Sequence, residues 1–202
     1  MGLDSIPDSD IVSYAERKLD VVEGSADRIE ANFRSVMEAL KDSSFVMPPM
    51  HKPVSGFTFA QTGASVGMNI NPFYKVEIMH NGLDIIAPAG EPVYAVADGV
   101  VSEVIRSRKG LGNQVVIDHG NGYFTRYAHL SDMETVKGRG ARRGTSLGYV
   151  GVSGNSFAPH PHYEVVRDTV VLDPVHHFFA DVTPEEYMNM LVMSVTTGQS
   201  MD

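Results

Sequence analysis

The chain changes texture near residue 45. From Asp10 to about Lys41 no proline interrupts it, and apolar residues recur at Val12, Ala15, Leu19, Val22, Ala26, Ile29, Phe33, Val36 and Leu40. Alternating steps of three and four form the a/d seam of a long helix. Gly24 weakens that helix. Asp8, Ser9 or Asp10 caps its start, and Ser43-Ser44 followed by Pro48-Pro49 ends it. The seam fits a dimerising or docking coiled coil and equally a helix laid along its own domain, and both readings stand.

After the linker MPPMHKPVSG the pattern becomes that of hairpins. From Phe57 to about Val166 short runs such as PVYAVADGVVSEVI, NQVVIDHGNGYFTRYAHL and SLGYVGVSG are separated by Gly and Asn-Gly signals. The clearest turn is Gly120-Asn121-Gly122, between VVID and YFTRYAHL. From Pro174 through PEEYMNMLVMSV a short helix with a proline start is expected, covering a sheet edge or contributing stability alone. The expected division is a helical segment at 1–44, a linker at 45–56, a β-rich domain at 57–180, and a helix with its tail at 181–202.

Size and composition narrow the function. At 202 residues and 43% hydrophobic content the chain holds one main core. A formal net charge of -9 argues against a nucleic-acid binder, which would show a basic face. With no cysteine, disulfides, thiolate metal sites and cysteine nucleophiles are excluded, so any metal must rely on His, Asp and Glu. Neither an apolar run of about 18 residues nor a signal-peptide core is present, so a membrane association is expected only through an anchor outside this sequence.

The candidate chemistry lies in two distant stretches. In APHPHYEVV, His160 and His162 sit two residues apart at the mouth of a strand. They share one face, with Cα atoms about 6.6 Å apart if extended. Pro161 faces the other way and cannot donate to a ladder, which suits a strand end. Upstream, MHNGLDIIAPAGEPV supplies His80 and Asp84, which a turn at Asn81-Gly82 brings together. Two imidazoles and one carboxylate, with a fourth position open to water, form the pattern of a catalytic zinc site. His80, Asp84 and His162 are the candidate ligands. His160, and His129 at the end of YFTRYAHL, remain as general base, general acid or oxyanion donor.

HNGLDIIAPAGEPVYAVADGVV, GNQVVIDHGNGYFTRYAHLS and GYVGVSGNSFAPHPHYEV together resemble the M23 peptidases, lysostaphin-like zinc endopeptidases of the bacterial cell wall. The likeness runs from about Pro53 to Val166. It implies a mainly β fold, an antiparallel LytM/lysostaphin-like core of the duplicated hybrid motif type, flanked here by the long front helix and a short final helix. By resemblance His80 and Asp84 match the H-x-x-x-D metal motif, His162 the metal-binding second histidine of H-x-H, and His160 and His129 the two catalytic histidines. One Zn2+ per chain, peptidoglycan peptides as substrate and a periplasmic or envelope location follow as expectations. A homodimer or another envelope protein is the partner expected for the front helix.

Two departures stand out: Pro161 where the family usually has Leu, and Gly67-Met68-Asn69 where Gly-x-Arg is common. A rival reading is a non-enzymatic activator of wall amidases, built on the front seam; five intact His and Asp positions speak against it. A lipoyl- or biotinyl-like carrier needs a presented lysine that the hairpins lack.

Other residues carry less. His119 is expected in a turn or supporting role, and His51, His176 and His177 at the surface. Glu164 shares the His162 face and either orients that ligand or lines a wet groove wall. KGRGARR, Lys137 to Arg143, is a soluble hairpin loop or a contact for anionic wall polymer. Ser153, Asn155 and Ser156 form a tight loop that places His160.

Overall fold

The computed structural model describes residues 47–202 and, within the front segment, Arg34 alone. The long helix expected from Asp10 to Lys41 therefore lies outside the described residues. Val46–Asp202 is one compact unit.

Twelve strands build that unit: β1 (Gly67–Ile70), β2 (Glu77–His80), β3 (Leu83–Asp84), β4 (Pro92–Tyr94), β5 (Gly99–Ile105), β6 (Gln114–Gly120), β7 (Tyr123–Ala128), β8 (Leu130–Met133), β9 (Gly140–Ala141), β10 (Ser146–Val150), β11 (His162–Arg167) and β12 (Val170–Leu172). The main antiparallel sheet runs β12-β11-β7-β6-β5-β9, with β3 also pairing β11. A second sheet runs β4-β10-β8, and β1 and β2 form a separate hairpin. The β6-β7 hairpin turns at Asn121-Gly122, both with positive φ (48° and 75°). Two successive positive φ values match the right-handed twist of the strands, which is why Asn-Gly marks the turn.

Side-chain alternation gives the main sheet two distinct faces. Val115 and Ile117 of β6, Thr125 and Tyr127 of β7, and Tyr163 and Val165 of β11 are buried on one side. They pack with Val93, Leu147, Val150, Leu130 and Phe57 in a continuous core. The rings of Tyr127 and Tyr163 lie 5.4 Å apart, and those of Tyr163 and Phe178 6.0 Å. The opposite face carries His162 and Glu164 on β11 and Arg126 and Ala128 on β7, in register as His162↔Ala128 and Glu164↔Arg126. This is the face on which the candidate site is built.

The expected final helix divides in two. Pro174–His177 is a 3-10 turn capped by Asp173, which accepts from Val175 N. Helix α1 (Pro184–Thr196) starts later, with Pro184 in its first turn and a reciprocal Thr183/Glu186 cap. It packs against the two 3-10 turns Phe59–Gln61 and Pro174–His177, and Met190 enters the core. Among the described residues no helix is long and apolar enough to cross a membrane.

His119 is buried, its Nδ1 2.7 Å from the Asp98 carbonyl and its Nε2 2.7 Å from the Thr125 hydroxyl. It is a structural histidine of the β6-β7 ladder. His51, expected at the surface, lies half-exposed there between Asp181 (2.7 Å) and Arg143 (2.7 Å). His176 bonds the Tyr187 hydroxyl and His177 the Asp173 carbonyl, so neither tail histidine stands alone.

Candidate metal centre

Three separate backbone constraints converge on one point. Strand β2 ends at His80, held opposite Gly67 of β1. After two intervening residues, β3 pairs Asp84 with His162 of β11, while Asp84 N donates to Ala64 O and Asp84 O accepts from Gly63 N. The turn between them needs Gly82: a Cβ there would lie 2.6 Å from Tyr163 O and 2.7 Å from His162 Nε2. Asn-Gly therefore closes the H-x-x-x-D gap as expected, and Pro161 sits just before β11, where a missing N–H disturbs no ladder.

The result is a compact triangle of donor atoms. His80 Nε2 is 3.1 Å from Asp84 Oδ1 and 3.1 Å from His162 Nδ1, and His162 Nδ1 is 3.0 Å from Asp84 Oδ1. Tetrahedral zinc donors about 2.0–2.1 Å from the ion stand about 3.3–3.4 Å apart, so the triangle is close to zinc size. Each imidazole is also presented with its lone pair inward. His80 Nδ1 lies 3.0 Å from Ser65 O, a carbonyl that can only accept, so that nitrogen carries the hydrogen and Nε2 is bare. His162 Nε2 lies 3.3 Å from Glu164 Oε1, which likewise leaves Nδ1 facing Asp84.

Glu164 belongs to a chain across three strands: its Oε2 accepts from Arg126 Nε at 2.8 Å, and Arg126 Nη1 reaches Gln114 Oε1 at 2.5 Å. Of the two sequence readings for Glu164, the ligand-orienting one matches this geometry. Where a Gly-x-Arg segment was the family expectation, Asn69 is buried and donates to Ser65 O and Gly67 O, holding in place the carbonyl that orients His80.

His129 and His160 lie beside the triangle, their ring centroids 4.7 Å apart. Both have Nδ1 against a carbonyl, Ser153 O at 2.7 Å and Ala158 O at 2.8 Å respectively. Each therefore turns a bare Nε2 into the site, and these two nitrogens are buried without a hydrogen-bond partner. His160 Nε2 is 3.5 Å from Asp84 Oδ1. The loop containing Ser153 and Ser156 thus places both histidines, not His160 alone. His129 has φ of 56°, a conformation that strains a non-glycine residue by about 1–3 kcal/mol and is held by its surroundings.

The field at the centre favours positive charge. Burial opposes ionisation of Asp84, but the close imidazoles of His160, His162 and His80, which bring a proton towards it when no metal sits among them, outweigh it and hold the carboxyl well below its usual range. Burial likewise works against a charged His162, yet its bonds to Asp84 and Glu164 push its pKa up to about 10. Buried, inward-facing acceptors repel one another unless a proton or cation sits among them. The donor set therefore fits a divalent zinc-like ion.

One residue of the cluster was not anticipated from sequence. Asp202 enters the same site: His80, Asp84, His162 and Asp202 offer donor atoms all within 4.8 Å of one another. Nothing in residue spacing links position 202 to 80 or 162, so only the fold reveals it. The site opens into a groove of about 290 Å³, whose wall includes Tyr74, Ile78, Met79, Leu111 and Asn155.

Comparison with known proteins finds similar peptidases. The chain is 44% identical over 97 residues to "Peptidoglycan DD-endopeptidase ShyA" of Vibrio cholerae serotype O1, covering 48% of this chain and 22% of that protein. The crystal structure of "a zinc containing peptidase from vibrio cholerae" superposes with a TM-score of 0.55 at 31% identity, over 63% of this chain and 39% of that one. The catalytic domain of lysostaphin from Staphylococcus simulans does so with a TM-score of 0.52 at 28% identity, over 57% and 89%. The chain spans less than a third of the length of the curated relatives it matches most strongly. Residues 78–174, the span from within β2 to the first 3-10 residue after β12, match the model of peptidase family M23.

Proposed function

We propose that this chain is a zinc-dependent endopeptidase that hydrolyses the peptide part of bacterial peptidoglycan. His80, Asp84 and His162 hold the metal, and His129 and His160 move protons. The observation that carries this reading is the 3.0–3.1 Å triangle of inward-facing donors beside two partnerless imidazole nitrogens. The relatives named as peptidoglycan endopeptidases supply the substrate class.

A bound zinc ion supplies Lewis-acid polarisation of the scissile carbonyl and a lowered pKa for water. The protein supplies the rest. His129 and His160 have Nδ1–H tied to backbone carbonyls, so Nε2 is the only nitrogen of either ring able to accept a proton. One takes the proton of the attacking water; the protonated ring then donates to the developing oxyanion or to the leaving amine. Glu164 and Ser65 O keep the ligand imidazoles in the tautomer that presents a lone pair. A ligand set of two neutral imidazoles and one carboxylate leaves one net positive charge on the centre, suited to an anionic transition state.

In this reading the site of action is the cell envelope, with the periplasm as compartment, and the seam at 1–44 docks the peptidase to a second copy or to another envelope protein. Digestion of purified sacculi of defined cross-link chemistry, with new amino ends identified by mass spectrometry, tests the activity. Release of peptides with a fresh amino group is the expected result; intact sacculi in the presence of zinc would contradict it.

A further inference from the structure

The residues after helix α1 return to the site as an extended strap, Gly198–Asp202. Ile70 N donates to Gly198 O at 3.0 Å and Ser200 N donates to Ile70 O at 3.2 Å, so the strap adds in parallel to the free edge of β1. Asn71 Nδ2 donates to Asp202 O at 2.8 Å on the same side. From the opposite wall, Phe157 N donates to Met201 O at 2.8 Å. The rings of Phe73 and Phe157, one from each wall, meet edge to face with centroids 6.2 Å apart. Ser200 is buried beneath this arrangement.

The strap also reaches the donor triangle. Met201 N donates to Asp84 Oδ2 at 2.7 Å. The Asp202 carboxylate lies 3.5 Å from His80 Nε2, 3.4 Å from His162 Nδ1 and 3.7 Å from His129 Nε2. Asp202 lines the same groove as His80 and His162. An extended peptide substrate docks on a strand edge through the backbone groups it finds free. Here Ile70 N, Ile70 O and Phe157 N are already engaged by the chain itself.

We propose that Asp202 is a fourth ligand of the metal, presented by the 198–202 strap, which occupies the groove and slows hydrolysis by the wild-type protein without abolishing it, because substrate must displace the strap. This rests on the zinc-peptidase reading above. Its physical basis is twofold. A carboxylate as fourth ligand would complete tetrahedral coordination and exclude solvent from the last position. It also brings the centre to two carboxylates against one divalent cation, which removes the positive charge that would attract the transition state.

Zinc affinity by chelator competition, the visible spectrum of the cobalt-substituted protein, and the initial rate on a cross-linked muropeptide test this in wild type, Asp202→Ala and Asp202→Asn. The near-isosteric Asn variant guards against a folding defect. Both variants are expected to bind zinc about ten-fold or more weakly, to change the cobalt bands, and to hydrolyse faster at saturating zinc. Unchanged affinity and bands, or slower hydrolysis with metal retained, would overturn the proposal while leaving the peptidase reading intact. A wild-type protein that takes up no zinc would instead overturn that reading itself.

Discussion

His80 Nε2 and His162 Nδ1 face each other at 3.1 Å, each presented inward because the second nitrogen of its ring is committed elsewhere, to Ser65 O and to Glu164. Two lone pairs at that distance, with a buried carboxylate oxygen 3.0–3.1 Å from both, repel unless a proton or a metal cation joins them. The chain builds this arrangement from β2, β3 and β11, and the surrounding hydrogen bonds are spent on keeping it.

The outer partners are therefore expected to matter almost as much as the ligands. Glu164→Ala should weaken zinc binding about 10- to 100-fold, with Glu164→Gln restoring part of the loss, since its amide oxygen still accepts from His162. Zinc titration of the two variants gives the comparison. Equal affinity in wild type and Glu164→Ala would show that Glu164 merely pairs Arg126.

His129 and His160 lie outside the donor triangle, and removing either should spare the metal. His160→Ala and His129→Ala are each expected to retain one zinc while kcat falls about 10²- to 10⁴-fold. Metal analysis beside steady-state kinetics on a muropeptide checks this. Full hydrolysis by the His160 variant would take that residue out of the proton-transfer role.

The stability of the fold should carry the signature of His119. Burial lowers its pKa from the ordinary value, outweighing the bond to Asp98, and Thr125 needs its neutral Nε2 as a partner. A lowered folded pKa means that its stabilising contribution is complete above the unfolded histidine value of about 6.5 and is lost as pH falls below it. His119→Gln is therefore expected to be more destabilising at about pH 7.5 than at about pH 5, measured by urea midpoints. A gap independent of pH would show that His119 titrates alike in both states.

Much of this was legible in the residues. Asn121-Gly122 fixed one hairpin because few residues accept two successive positive φ values, and the alternating run YFTRYAHL became β7, leading into His129. Asn81-Gly82 and Pro161 announced the ends of the segments that carry the ligands. What stayed hidden depends on distance in sequence. Ser65 O orients His80 from fifteen residues away through a backbone atom that carries no side-chain identity. Asp202 reaches the triangle only because β1 offers an edge to the strap. The helix lies within the expected 181–202 segment, but its start is ambiguous because Pro174 and Pro184 give the same signal, and only Asp173 and Thr183, by capping different structures, separate a 3-10 turn from a helix.

The account rests on one ion being held by His80, Asp84 and His162. Chelator-treated protein, reloaded and analysed for metal, should bind one zinc per chain, and His162→Ala should lose tight binding and hydrolysis together. Wild-type protein without zinc after reloading, or a His162→Ala variant that binds it as tightly, would contradict the account.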